Sequence, residues 1–186
     1  MLILWAIPIG IAAGLLLRGS LEGLSNLQFR WPWLAVGGLI VQIVLFTKDG
    51  FDAAGSLAGP IYVLSTLAVF VAVLRNLALP GLPIVALGAL ANLAAIAANG
   101  GSMPADPGAL ALAGLDPRSH TNSVVLASPA LQPLTDIFAV PAWVPFANVF
   151  SVGDVLIAIG IVIAIVAVMR QQPTPAGPQA LEASLG

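Results

Sequence analysis

The chain has no cysteine, a single histidine and very little charge. Without cysteine there is no disulfide framework, no thiol nucleophile and no thiolate metal site. His120 alone cannot build a histidine zinc centre, so no metal and no cofactor is expected. Six basic residues leave no stripe for nucleic acid. Charged residues make up 8% of the 186, too few to cover a water-facing surface, and this excludes a soluble globular domain.

What is present is apolar: 59% hydrophobic residues and a mean hydropathy of +1.03 place the chain in lipid. From Val155 to Met169 nothing is more polar than Gly160. With its first turn this run is long enough to cross a bilayer core at about 1.5 Å per residue. Four earlier runs complete an all-α integral membrane protein of five transmembrane helices, with spans at about residues 2–17, 33–47, 60–74, 82–98 and 152–169. No charge precedes Arg18, so the first run reads as a retained span, not a cleaved signal. Gly10 and Gly14 in it form a small-xxx-small pair suited to close helix packing. Leu17 to Trp33 reads as an amphipathic connector at the membrane surface, and Lys48-Asp49-Gly50 as a charged turn closing the second span. The Ala-rich fourth span is expected at the centre of the bundle.

Residues 99–151 form a long loop between the fourth and fifth spans, ordered and carrying interfacial segments at 124–127 and 137–144. Residues 171–186 read as a disordered tail. Arg18, Arg30, Arg75 and Arg170 fall on one side of the five spans, and Lys48 and Arg118 on the other. The basic side faces the cytoplasm, which places the N-terminus outside, the tail inside and the long loop outward in a multi-pass protein of the cell membrane.

In that topology Gln42, Ser65, Thr66, Asn92 and Asn99 all lie in the outer half, near the loop that carries Asp136. Intramembrane polar groups are costly and tend to face one another or a wet cavity, so a shared site is expected. Asn92 and Asn99, seven residues apart, lie on one face of their helix. Asp136 and Asp154 are the acids at that depth, and a close pair would leave one protonated as acid and the other ionised as base. That is the equipment of an aspartyl hydrolase acting on a lipid-embedded peptide or small lipid, with Asn99, Asn92 and Gln42 as polar orienting groups. The competing reading is local. Ser151-Val152-Gly153-Asp154 fits a capping box with Ser151 as N-cap, Thr135 or Asp136 could cap a short interfacial helix, and the protein would then be a non-catalytic membrane subunit or a lipid or small-molecule binder. Gly100 and Gly101 read as a structural turn in which at least one φ is positive.

Asn99-Gly100-Gly101-Ser102-Met103-Pro104, Leu134-Thr135-Asp136 and Phe150-Ser151-Val152-Gly153-Asp154, with Leu21, Leu24 and Arg30, resemble the pattern of an uncharacterised domain-of-unknown-function family of small bacterial polytopic membrane proteins. That resemblance implies no activity. A partial one is to the lipoprotein signal peptidases, intramembrane aspartyl proteases: Leu134-Thr135-Asp136 and the Asn148 to Asp154 stretch are similar in order and spacing to their two catalytic motifs, and Asn99-Gly100-Gly101 to their Asn-x-Gly element. It implies catalytic roles for Asp136 and Asp154. The sequence departs from that family in lacking a Gly-Asn before Asp136 and an Arg after it, and in having five spans where that family has four.

Overall fold

A computed structural model describes residues 2–25, 27–116 and 123–171. Arg118, His120 and the tail beyond Gln171, to which the sequence assigns a topological signal, a lone imidazole and disorder, lie outside the described residues. The fold is mostly helical. In chain order it has α1 (Ile3–Leu16), α2 (Glu22–Ser25), α3 (Pro32–Leu45), α4 (Lys48–Ala54), α5 (Ala58–Leu74), α6 (Leu82–Ala98), α7 (Pro107–Ala113) and α8 (Val152–Met169). Short strands accompany them: β1 (Met103–Pro104), β2 (Ser123–Val124), β3 (Phe138–Val140) and β4 (Asn148–Phe150).

Among the described residues two helical stretches, Lys48–Leu74 and Val152–Met169, are long and apolar enough to cross a membrane. Leu4–Leu16, Pro32–Leu45 and Leu82–Ala98 are shorter apolar helices. Local chemistry sets several of their starts: Pro32 and Pro83 stand in the first turns of α3 and α6, where a missing N–H costs no helical bond. Lys48-Asp49-Gly50 is not a turn, as expected from its charge, but the first turn of α4. Thr47 Oγ1 accepts from Gly50 N at 3.0 Å, and a 3-10 turn at Gly55–Leu57 carries the chain into α5.

The main helix contacts run from α1 to α8, α8 to α6, α6 to α5 and α5 to α3. The Ala-rich α6 therefore lies between α8 and α5. Gly10 and Gly14 of α1 face Ile165 and Met169 of α8, so these two helices run parallel. Between α6 and α8, which run antiparallel, backbone meets backbone. Gly81 lies against Gly160 and Gly88 against Gly153, and a β-carbon at any of the four would collide with the opposing main chain. The helices can approach this closely only because these positions lack side chains.

Arg18, Arg30, Arg75 and Arg170 gather at one end. Arg75 and Arg170 follow the last residues of α5 and α8, Arg30 is bonded through its backbone to Asn76, and Ser20 N, two residues after Arg18, donates to Met169 O. The connector from Leu17 to Trp33 is not the amphipathic helix its pattern suggests. It keeps one helical turn, α2, because Arg18 and Trp31 take left-handed backbone angles and Gly23 packs its backbone onto Val168.

The other end is capped by residues 99–116 and 123–150, and here the all-α expectation needs amending. β1 pairs parallel with β2, and β3 pairs antiparallel with β4 in the register Phe138 with Phe150, Ala139 with Val149 and Val140 with Asn148. Under β4 lies a small apolar core of Ala105, Ala109, Leu110, Ala113 and Val149. Asp106 starts α7, accepting from Ala109 N at 2.9 Å.

Candidate functional site

The N-terminus of α8 is held by a closed ring of hydrogen bonds. Ser151, the N-cap, accepts from Asp154 N at 3.0 Å through its hydroxyl, and Asp154 Oδ2 accepts from Ser151 N at 3.1 Å. These two bonds are a capping box. Asn92 of α6 closes the ring. Its Nδ2 donates to Asp154 Oδ1 at 2.8 Å, and its Oδ1 accepts from Ser151 Oγ at 2.8 Å. Ser151 is 0% exposed, and every polar atom in the ring has a partner, which buried groups require. The ring sits beside the Gly88 and Gly153 contact, and the close approach of the two backbones brings Asn92 within reach.

Asp136 is held through its backbone to the cap. Its N donates to Pro104 O and its O accepts from Asp106 N, both at 2.9 Å, in a parallel bridge to Ala105. It is 4% exposed. Both carboxylate oxygens of Asp154 are engaged by Asn92 and Ser151, and among the described residues no hydrogen bond joins Asp154 to Asp136. Nor does a helix begin at Asp136, because the chain is extended there and continues into β3. The capping carboxylate of this region is Asp106, which the sequence reading passed over although Asp106-Pro107 is a helix-start signal.

The polar residues expected in one site are divided between interfaces. Gln42 Nε2 donates to Thr66 Oγ1 at 3.2 Å and ties α3 to α5, while Ser65 and Thr66 return their hydroxyl protons to Tyr62 O. Asn99 sits at the end of α6. Its Nδ2 donates to Ala95 O at 2.8 Å and Ala130 O at 2.9 Å, and its Oδ1 accepts from Ala130 N at 2.8 Å. It thus reads both backbone groups of one loop residue and holds that residue to the helix. Gly100 and Gly101 follow with φ of +69° and +86°, reversing the chain toward β1.

Asn76 repeats the device at the arginine end and was missed in the sequence. Its Nδ2 donates to Ala72 O at 2.7 Å and Arg30 O at 2.8 Å, and its Oδ1 accepts from Arg30 N at 2.7 Å. A lone amide among Leu77, Ala78 and Leu79, just past a helix end, was the available signal.

Cavities open among the described residues. One of about 170 Å³ opens at the loop end between Phe46, Phe51, Gly59, Tyr62, Gly101 and Ser102. Another of about 280 Å³ lies between α1 and α8, lined by Trp5, Ile9, Ile159 and Ile163 among others. Neither is lined by Asp136 or Asp154. Among the described residues no group of three or more His, Cys, Asp or Glu could hold a metal.

An apolar helix bundle, joined through glycine contacts and buried amide side chains and capped at one end by a small ordered α/β layer, is the class of protein this chain represents. It belongs to the family of unknown function DUF5317, whose model matches residues 26–166. That match includes α3, α5, α6, the cap and nearly all of α8. No curated protein and no solved structure matches the chain, signal peptidases included.

Proposed function

We propose that the chain is a five-span protein of the cell membrane that works without catalysis, as a lipid or small-molecule binder or a subunit, and that Asn92, Ser151 and Asp154 are its structural clamp. The observation that carries the membrane reading is the surface of the short helices. The outward residues of α3 (Leu39, Ile40, Val41, Ile43 and Val44) and of α6 (Leu87 and Leu90) are exposed and apolar, while Gln42 and Asn92 pair with neighbouring helices. Water would oppose that arrangement, and lipid favours it. The arginine end faces the cytoplasm, so the cap and the 170 Å³ cavity face outward.

The engaged carboxylate of Asp154 speaks for the clamp over the hydrolase, whose paired acids would have to share a proton. Topology is tested by fusing a reporter after Gly186 and inserting one near Asp116; the first should behave as cytoplasmic and the second as exported. The reverse pair would invert the assignment of the cavity and the cap. Function is tested with Asp154→Asn, which should still complement whatever phenotype a deletion shows. Loss of complementation with the fold retained, and the same loss in Asp136→Asn, would restore the catalytic pair.

A further inference from the structure

From Ile137 to Gly153 the chain carries no charge, and only Asn148 and Ser151 have polar side chains. Such a stretch would ordinarily be buried, yet it builds the β3–β4 hairpin on the surface of the cap. The hairpin has two apolar faces, since side chains alternate along a strand. Ala139 and Val149, paired across the strands, pack on the α7 cluster. Phe138 and Phe150, also paired, stack on the other face with ring centroids 5.5 Å apart, and Phe138 is 42% exposed. At the tip Trp143 is 84% and Phe146 63% exposed.

The tip is held in place. Ala142 N donates to Leu112 O at 3.0 Å, Val144 N donates to Pro141 O at 2.9 Å, and Phe146 takes a left-handed φ of +61°. The ring of Phe146 meets Trp5 edge-on at 6.3 Å. Trp5 belongs to the first turns of α1, so this contact sets the hairpin's depth at the end of a membrane helix. Trp5, like Phe146, is exposed and apolar.

We propose that this hairpin is a membrane-interface anchor, with Trp143, Phe146 and Phe138 seated at the boundary between headgroups and acyl chains of the outer leaflet. This rests on the membrane-spanning reading above. Trp and Phe suit that boundary because the ring is apolar while the indole N–H can remain among the headgroups. Absence of charge matters as much, because a Lys or Asp on this face would have to be withdrawn from water or would lift the hairpin off the surface. The aromatic face would fix the tilt of the cap over the bundle and so the mouth of the outward cavity.

The absence of cysteine makes the test direct. Trp143→Cys, Asp116→Cys and Ile43→Cys each introduce the one thiol of the full-length chain, for spin labelling in vesicles of phosphatidylethanolamine and phosphatidylglycerol. Asp116, exposed and charged in the cap, is the water-side reference. Trp143 is so exposed that its replacement leaves the core intact, which a melting curve in detergent verifies. Collision of the label with oxygen, enriched in lipid, and with a water-soluble nickel chelate is then measured. The oxygen-to-nickel ratio at position 143 is expected several-fold above that at 116, and nearer to that at 43 on the outer face of α3. A ratio at 143 equal to that at 116, with position 43 still in lipid, overturns the anchor and leaves the membrane reading standing. Water-like ratios at both 143 and 43 overturn the two together. A label at 143 that is immobilised and shielded from both reagents places a protein partner on the hairpin and also overturns the anchor.

Discussion

Asn92 and Asp154 lie 62 residues apart in the chain and 2.8 Å apart in the fold. Through this bond the cap of one helix is completed by the side chain of another, so the entry of α8 and its position against α6 are determined together.

Removing Asn92 should therefore cost more than altering Asp154. Asn92→Leu leaves Ser151 Oγ and Asp154 Oδ1 without their partner, at about 1–3 kcal/mol per buried polar group. In Asp154→Asn the Asn92 amide can turn over and donate to Ser151 Oγ while accepting from the new amide. Most of the ring survives, with an expected loss of about 1 kcal/mol. Thermal melting in detergent should rank Asn92→Leu well below Asp154→Asn; the opposite order would show that the charge at Asp154, and not the ring, stabilises α8.

Glycine to alanine should have opposite signs in two helices. A β-carbon at Gly88 collides with the Gly153 carbonyl, whereas at Gly37 of α3 nothing lies within 4 Å. Gly88→Ala should destabilise by about 1–3 kcal/mol through overpacking. Gly37→Ala should be neutral or stabilise by up to about 1 kcal/mol, the helix-propensity difference. Equal melting shifts would mean that α6 and α8 are not in contact through their backbones.

Gly100 and Gly101 both take positive φ but differ in their surroundings. Nothing lies within 4 Å of a β-carbon at Gly100, while one at Gly101 would stand 2.5 Å from Gly59 Cα. Gly100→Ala is expected to cost about 1–2 kcal/mol, the left-handed penalty for an L-residue. Gly101→Ala should cost that and an additional overpacking term, seen as a larger fall in melting temperature.

Asn76 and Asn99 should prove to be local latches of different strength. Asn99→Ala should raise amide hydrogen exchange around Ala130 while leaving the helices protected. Asn76 is buried, so Asn76→Ala should lower global stability by about 1–3 kcal/mol as well as freeing Arg30. Unchanged exchange at Ala130 in Asn99→Ala would mean that the loop is held by other contacts.

Much of this could be read from the chain. Uninterrupted apolar runs end where Pro, Gly or charge intervenes, so helices over about the ranges of α6 and α8 could be expected from the chain. The Ser151 to Asp154 cap was legible because its bonds close within three residues. The turn at Gly100-Gly101 was legible because a helix end followed by two glycines has few other solutions. Short strands of two or three residues were not, since β1 to β4 are too brief to leave a periodicity. The connector before α3 misled because its helical stripe competes with Gly23, which packs against the end of α8.

The sequence by itself marked the five long apolar runs that become α1, α3, α5, α6 and α8 and, by counting along them, gave each polar residue an expected depth, because hydropathy and capping act within a few turns. Depth is a single coordinate, however, and a shared depth made Gln42, Asn92, Asn99, Asp136 and Asp154 look like one site. Which residues meet depends also on their direction around each helix axis and on which helices are neighbours. Only the tertiary structure decided that Gln42 faces Thr66, that Asn99 holds Ala130, and that Asp154 meets Asn92, since it is the backbone contact at the paired glycines that turns α6 and α8 toward each other there.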